Sequence, residues 1–279
     1  MSVSRLTSFG PWLVLGLALG GLYFPVLARL LHDWDIDPNY SHGYFVPFLA
    51  GFMVWTRKEA LRLPPVRPCP WGMALVALGL LQLFIAWVGS EYFLQGVSLI
   101  VVLAGTILTL WGWPRTALVI LPLGYLIFMI PLPAIIWNTI AFPLALFASK
   151  SAVSILDGVG FSVLREGNVI TLPNITLQVV EACSGLRSLV TLLALSALVA
   201  FVSSLRVWSK WVLFIAAVPV ALACNVLRLV ATAVLAQNFG PEMAHGFMHD
   251  FSGFVVFGLG LGLLLATAWL LNRIPLARS

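Results

Sequence analysis

A chain of 279 residues that is 61% hydrophobic and only 9% charged is not a soluble domain, which carries about a quarter charged residues. Its mean hydropathy of +1.04 marks a polytopic helical membrane protein. The net charge of +5 does not point to nucleic acid, because the basic residues sit between apolar runs. Three cysteines without a Cys-x-x-Cys pair make neither a disulfide framework nor a zinc site.

The hydrocarbon core of a bilayer, about 30 Å thick, takes roughly 20 apolar residues per helix. On that measure we predict an all-α integral membrane protein of about eight transmembrane helices. They fall near 11–31, 43–56, 71–89, 93–111, 116–131, 184–203, 211–236 and 251–271. The first is long for a signal-peptide core and, with more spans following, reads as a retained signal anchor. The second is short.

The run 134–156 is also apolar, but Pro131, Pro133 and Pro143 interrupt it. A re-entrant segment, an interfacial segment and a ninth span all fit that pattern. Residues 157–182 are the main extramembrane region. There Ile175, Leu177 and Val179 alternate with Asn174, Thr176 and Gln178, a strand period. Glu166-Gly167-Asn168 and Pro173-Asn174 supply turn signals, so a small hairpin is predicted before the sixth helix. The chain reads as a single polytopic membrane domain, 1–279, with an outer-face loop region at about 132–182.

Charge sets the expected orientation. Arg57, Lys58, Arg62, Arg67, Arg206, Lys210, Arg273 and Arg278 join Arg5 and Arg115 on one side of an eight-helix arrangement with its N-terminus inside. All the acids except Glu59 fall on the other side. By the positive-inside rule, both termini are expected to be cytoplasmic in the cell's inner membrane, with Cys183 at the outer face.

Three stretches carry the chemistry. Glu181-Ala-Cys-Ser-Gly-Leu-Arg-Ser188 puts a thiol between a carboxylate and a guanidinium where the sixth helix begins. A cysteine at a helix N-terminus beside a cation is placed to favour thiolate, the reactive form. Asn225-Val-Leu-Arg228 interrupts the otherwise apolar seventh helix. Met243-Ala-His-Gly-Phe-Met-His-Asp-Phe-Ser-Gly253 precedes and opens the eighth.

At about 1.5 Å per residue, the sixth helix descends roughly 30 Å and the stretch from Trp211 to Arg228 climbs back roughly 27 Å. Arg228 then reaches nearly the depth of Cys183, and His249 sits at that same face. Each residue also has a plainer reading. Most cysteines in apolar segments are small core residues, and Cys224 keeps that reading. An arginine near a helix end can simply snorkel, although Asn225 is spaced to hold Arg228. His245 and His249 also fit ordinary interfacial histidines, and Arg187 a contact with lipid headgroups. With Asp250 the two histidines form a pattern too weak to imply a metal, and no cofactor is expected. In the outer cluster 33–43, Ser41-His42-Gly43 is harder to dismiss as loop solvation.

Together these stretches resemble the exosortase/archaeosortase family of integral membrane transpeptidases. The likeness rests on Glu181–Ser188, on Asn225-Val-Leu-Arg228, on His249-Asp-Phe-Ser-Gly253, and on Tyr40-Ser-His-Gly43 with Val46-Pro47. It implies a cysteine transpeptidase or protease whose catalytic set maps onto Cys183 as nucleophile, Arg228 and His249, with His245 an alternative to His249. Glu181, Arg187, Asn225 and His42 would support them. The implied substrates are secreted proteins with a C-terminal signal: a Pro-Glu-Pro-like motif, a transmembrane helix in the lipid, and a basic tail. The acyl acceptor is left open. A membrane transporter or an assembly component for exopolysaccharide export is the alternative. A transporter would place its polar residues near the bilayer midplane, whereas Cys183, Arg228 and His249 gather at one interface.

Overall fold

The computed structural model describes residues 3–173, 175–179, 185–240 and 246–274. They belong to two compact units, Met1–Pro131 and Leu132–Ser279. Among the described residues, six helices are long and apolar enough to cross a membrane: Leu13–Ile36, Trp71–Val88, Tyr92–Trp111, Ala134–Gly158, Val207–Phe239 and Gly253–Arg273. Shorter apolar helical stretches are Trp113–Met129 and Leu186–Val202. The protein is an all-α multi-pass membrane protein, as its composition predicts.

In the first unit, α1 (Val3–Ile36) leads into a 3-10 helix, Pro38–Tyr44, followed by α2 (Val46–Thr56) and the short α3 (Lys58–Arg62). The predicted helix 43–56 is thus split. Pro47 has no N–H, and its ring clashes with the carbonyl four residues back, so the α-helix begins only at Val46. α4 (Trp71–Val88) and α5 (Tyr92–Trp111) form a tight antiparallel pair. Gly79 receives the Val102 side chain, and Gly105 lies against the backbone of Val76, so the two helices approach closely at these glycines.

α6 (Trp113–Tyr125) runs into a second 3-10 turn, Leu126–Met129. Its start is tied to the basic loop: Arg115 Nε donates to the Pro64 carbonyl at 3.0 Å, and the Arg67 N–H to that of Trp111 at 3.3 Å. Gly112, at φ +77°, lies directly against the Arg67 carbonyl. At the other end of α6, Trp34 Nε1 donates to the Met129 carbonyl at 2.8 Å. Gly43 lies flat against that indole, where any β-carbon would overlap the ring.

In the second unit, 134–156, which the prolines left open to three readings, is one uninterrupted helix, α7 (Ala134–Gly158). Pro131 and Pro133 precede it and Pro143 is carried inside. Its 25 residues reach about 37 Å.

The predicted hairpin is a three-stranded antiparallel meander: β1 (Leu164–Glu166), β2 (Val169–Leu172) and β3 (Ile175–Gln178). Glu166 pairs with Val169 across a two-residue loop in which Gly167 takes φ +63°, the geometry that favours glycine first in a hairpin turn. Ile170, Leu172, Ile175, Leu177 and Val179 all point one way. They pack on Ala145, Ala148, Ala152 and Leu156 of α7. Each such buried side chain contributes about 1.5–3 kcal/mol. Ser149 Oγ donates to the Gly167 carbonyl at 3.0 Å and pins the turn to α7.

α8 (Leu186–Val202), α9 (Val207–Phe239) and α10 (Gly246–Arg273) complete the unit. Leu186, Leu189 and Leu192 of α8 share a core with Leu213, Ala217 and Ala221 of α9 and Leu264 and Leu271 of α10. The far half of α9 (Val226, Leu229, Ala233, Ala236) packs under the meander instead. The meander therefore covers the end of α9 at which Arg228 stands.

Candidate active site

The polar residues of α9 are where its sequence departs from an apolar pattern. Asn225 and Arg228 are three residues apart, which puts them on one face of the helix. Asn225 is 7% exposed and Arg228 is half-buried. Two other elements reach this face, each through a glycine.

Gly185, the residue before α8, lies on Asn225. A β-carbon added there would sit 2.6 Å from Asn225 Nδ2 and 2.7 Å from its Cγ. Gly253 of α10 lies on Arg228, where an added β-carbon would sit 3.4 Å from one terminal guanidinium nitrogen and 3.6 Å from Cζ. Gly185 of the Glu181–Ser188 stretch and Gly253 of the His-Asp-Phe-Ser-Gly stretch thus meet the Asn-x-x-Arg stretch on one face of α9.

Glu181, Cys183 and His245 lie outside the described residues, and so does the side chain of His249. Covalent geometry still bounds their distance. Cys183 is two residues before Gly185, and two residues of chain span about 7 Å at most. His249 is four residues, about one helical turn, before Gly253 in α10. Arg187 stands on the exposed side of α8, its carbonyl accepting from Thr191 Oγ1 at 2.8 Å. Cys224 is 2% exposed and faces away from Asn225, its Sγ 3.5 Å from where a β-carbon on Gly260 would be. It is a packing residue between α9 and α10.

His42 belongs to the first unit. Its Nε2 is 3.0 Å from the Phe128 carbonyl, and the Tyr40 and His42 rings lie 6.4 Å apart. Burial pushes the His42 pKa below the usual imidazole value, outweighing the hydrogen bonds to Phe128 and Asn39 that favour the cation. The neutral ring then donates Nε2–H to Phe128. A lowered folded pKa means the unfolded chain binds the proton more readily. The stabilisation is therefore complete above the ordinary value of 6.5 and is lost as pH falls through it. The thermal midpoint in detergent is expected to drop between pH 7.5 and 5.5, and His42→Gln to flatten that part of the drop. An unchanged slope in His42→Gln would refute the assignment.

Sequence reasoning assigned no role to Gly185 or Gly253, although both lie inside the stretches it singled out. The signal was a glycine two residues after Cys183 and another four residues after His249, which without the fold read as ordinary helix-boundary residues.

A family model described as transmembrane exosortase matches residues 34–266. The match takes in Tyr40-Ser-His-Gly43 and all three stretches that meet on α9. No curated protein and no solved structure matches the chain.

Proposed function

The chain belongs to the transmembrane exosortase family, and from that premise we propose that it is a membrane cysteine transpeptidase or protease acting on C-terminal sorting signals of the Pro-Glu-Pro type. The observation that carries the reading is the meeting of Gly185 and Gly253 on the Asn225–Arg228 face of α9. It brings the chain two residues from Cys183 onto Asn225 and the helix of His249 onto Arg228, three residues further along the same helix.

In the proposed reaction His249 takes the proton of the Cys183 thiol, and the thiolate attacks the carbonyl carbon of the scissile peptide bond. Arg228 donates N–H groups to the oxyanion that forms, a role preorganised donors fill best where water is excluded. The C–N bond then breaks, His249-H⁺ gives its proton to the leaving amine, and a thioester to Cys183 remains. An amine or hydroxyl acceptor displaces the thiol to complete transpeptidation; water in its place makes the reaction hydrolysis. The substrate helix would lie in the lipid and its basic tail on the cytoplasmic side. Trapping tests the chemistry: a tagged substrate should form a covalent adduct with the enzyme that hydroxylamine releases.

The outer-face, inner-membrane orientation is proposed from charge. Arg206 and Lys210 stand at the α8–α9 turn, at the opposite end of α8 from Gly185, while Asp157 lies in the last turn of α7 and Glu166 ends β1 of the meander. Each added crossing reverses the chain, so a crossing by α7 bears directly on which side the meander occupies. In a Cys183→Ser background, a cysteine at Glu166 should react with a membrane-impermeant maleimide in spheroplasts, and one at Arg206 only after lysis. The reverse pattern would invert the proposed topology.

A further inference from the structure

The two glycine approaches to α9 are not alike. At Gly253 an added β-carbon would make ordinary contact with Arg228, 3.4 Å from the nearest nitrogen. At Gly185 it would lie 2.6, 2.7 and 3.1 Å from Nδ2, Cγ and Cβ of Asn225, well inside contact distance. Gly185 has φ −31° and ψ −16°, on the right-handed side and not in the left-handed region that favours glycine, and an added β-carbon there has no room. The chain emerging from the nucleophile stretch therefore bears directly on the Asn225 carboxamide.

Asn225 is itself held firmly. It is 7% exposed, and its neighbours Val226 at 8% and Leu229 at 1% are packed under the meander. A leucine of similar size would fill that space in an apolar helix without the cost of burying an amide.

We infer that Asn225 is a positioning residue, whose carboxamide bears on the Gly185 backbone and sets the spacing between the start of α8 and the Arg228 guanidinium. It acts through Gly185 and touches no reacting atom. This rests on the thioacyl chemistry proposed above. Cys183 enters only through the two residues of chain that join it to Gly185. The steric contact belongs to the Gly185–Asn225 pair, and its consequence falls on Arg228, one turn along the same helix.

The test uses the full-length enzyme in nanodiscs and a tagged substrate protein ending in Pro-Glu-Pro, a transmembrane helix and a basic tail. Single-turnover thioester formation is compared for Gly185→Ala, Asn225→Ala and the double variant. Each single change is expected to slow acylation at least tenfold at unchanged substrate KM. The double variant should be no slower than the worse single, because the added β-carbon and the removed carboxamide act at one contact, and removing the carboxamide makes room for the β-carbon.

Alkylation of Cys183 by iodoacetamide, which needs no oxyanion donor, should stay within twofold of wild type in all three. A general loss of fold would move that rate, whereas a misplaced Arg228 would not. If Gly185→Ala does not accumulate in the membrane, Asn225→Ala, which only removes atoms, decides alone. Wild-type acylation by Asn225→Ala, or losses that multiply in the double variant, would overturn the inference. Thioester formation by Cys183→Ala would instead sink the underlying chemistry.

Discussion

Cys183→Ala is expected to abolish substrate processing, by about 10⁴-fold or more, while the protein still accumulates in the membrane at its normal level. No thioester adduct should form, because no other described cysteine can take its place. Cys69 is in the first unit's basic loop region, and Cys224 is buried between α9 and α10. Cys183→Ser should be nearly as inactive, since a hydroxyl at its ordinary pKa is a far weaker nucleophile than a thiolate. Immunoblotting of a tagged substrate in cells, beside enzyme levels in the membrane fraction, makes the measurement. Full processing by Cys183→Ala would end the cysteine-enzyme reading and leave an assembly or transport role.

Arg228→Ala is expected to lower the acylation rate by about 10²–10³-fold, the range found when one oxyanion donor is removed. The loss should fall on kcat rather than KM, because the oxyanion exists only in the transition state. Arg228→Lys is the sharper variant. Lysine keeps the charge but not the planar fork of donors, and Gly253 lies against the guanidinium plane, with Cζ and both terminal nitrogens within 4 Å of its missing β-carbon. The lysine variant should therefore recover little, less than about tenfold over alanine. Full activity in Arg228→Lys would reduce the role of Arg228 to charge alone. A KM effect with unchanged kcat would reassign it to substrate binding.

Much of the fold is legible from hydropathy, because a lipid-facing helix must satisfy its own backbone and can hide only apolar side chains. The helix predicted at 71–89 is observed as Trp71–Val88, and that at 93–111 as Tyr92–Trp111. Within the alternation at 174–179, Ile175–Gln178 is a strand, and Glu166-Gly167-Asn168 leads through a turn. The departures each have a local cause. Proline acts oppositely in two places: Pro47 delays the start of the helix predicted at 43–56, whereas Pro143, which left 134–156 open, is absorbed within α7. A missing N–H matters less inside a long helix whose other hydrogen bonds and packing hold it together than at an end where nothing has yet formed. The first strand, β1 (Leu164–Glu166), has both faces exposed, so no hydrophobic period announces it.

At the site, depth follows from counting residues. Helix rise is constant, and the count from one turn to the next gives a height for Arg228 whatever its neighbours are. Cys183, Asn225, Arg228 and His249 stand out in the one-dimensional pattern of polar residues in apolar surroundings, together with the likeness to a family. Membership of that family, the apolar helices and the polar interruptions are all properties of the sequence alone. Lateral position is not, because any rotation of one helix about its axis leaves its hydropathy and rise unchanged. Only the tertiary structure decides that Gly185 rests on Asn225 and Gly253 on Arg228, that Cys224 faces α10, and that the meander covers this end of α9. These are close contacts between residues far apart in the chain, made possible where a side chain is absent, and a missing β-carbon acquires meaning only once its neighbour is known.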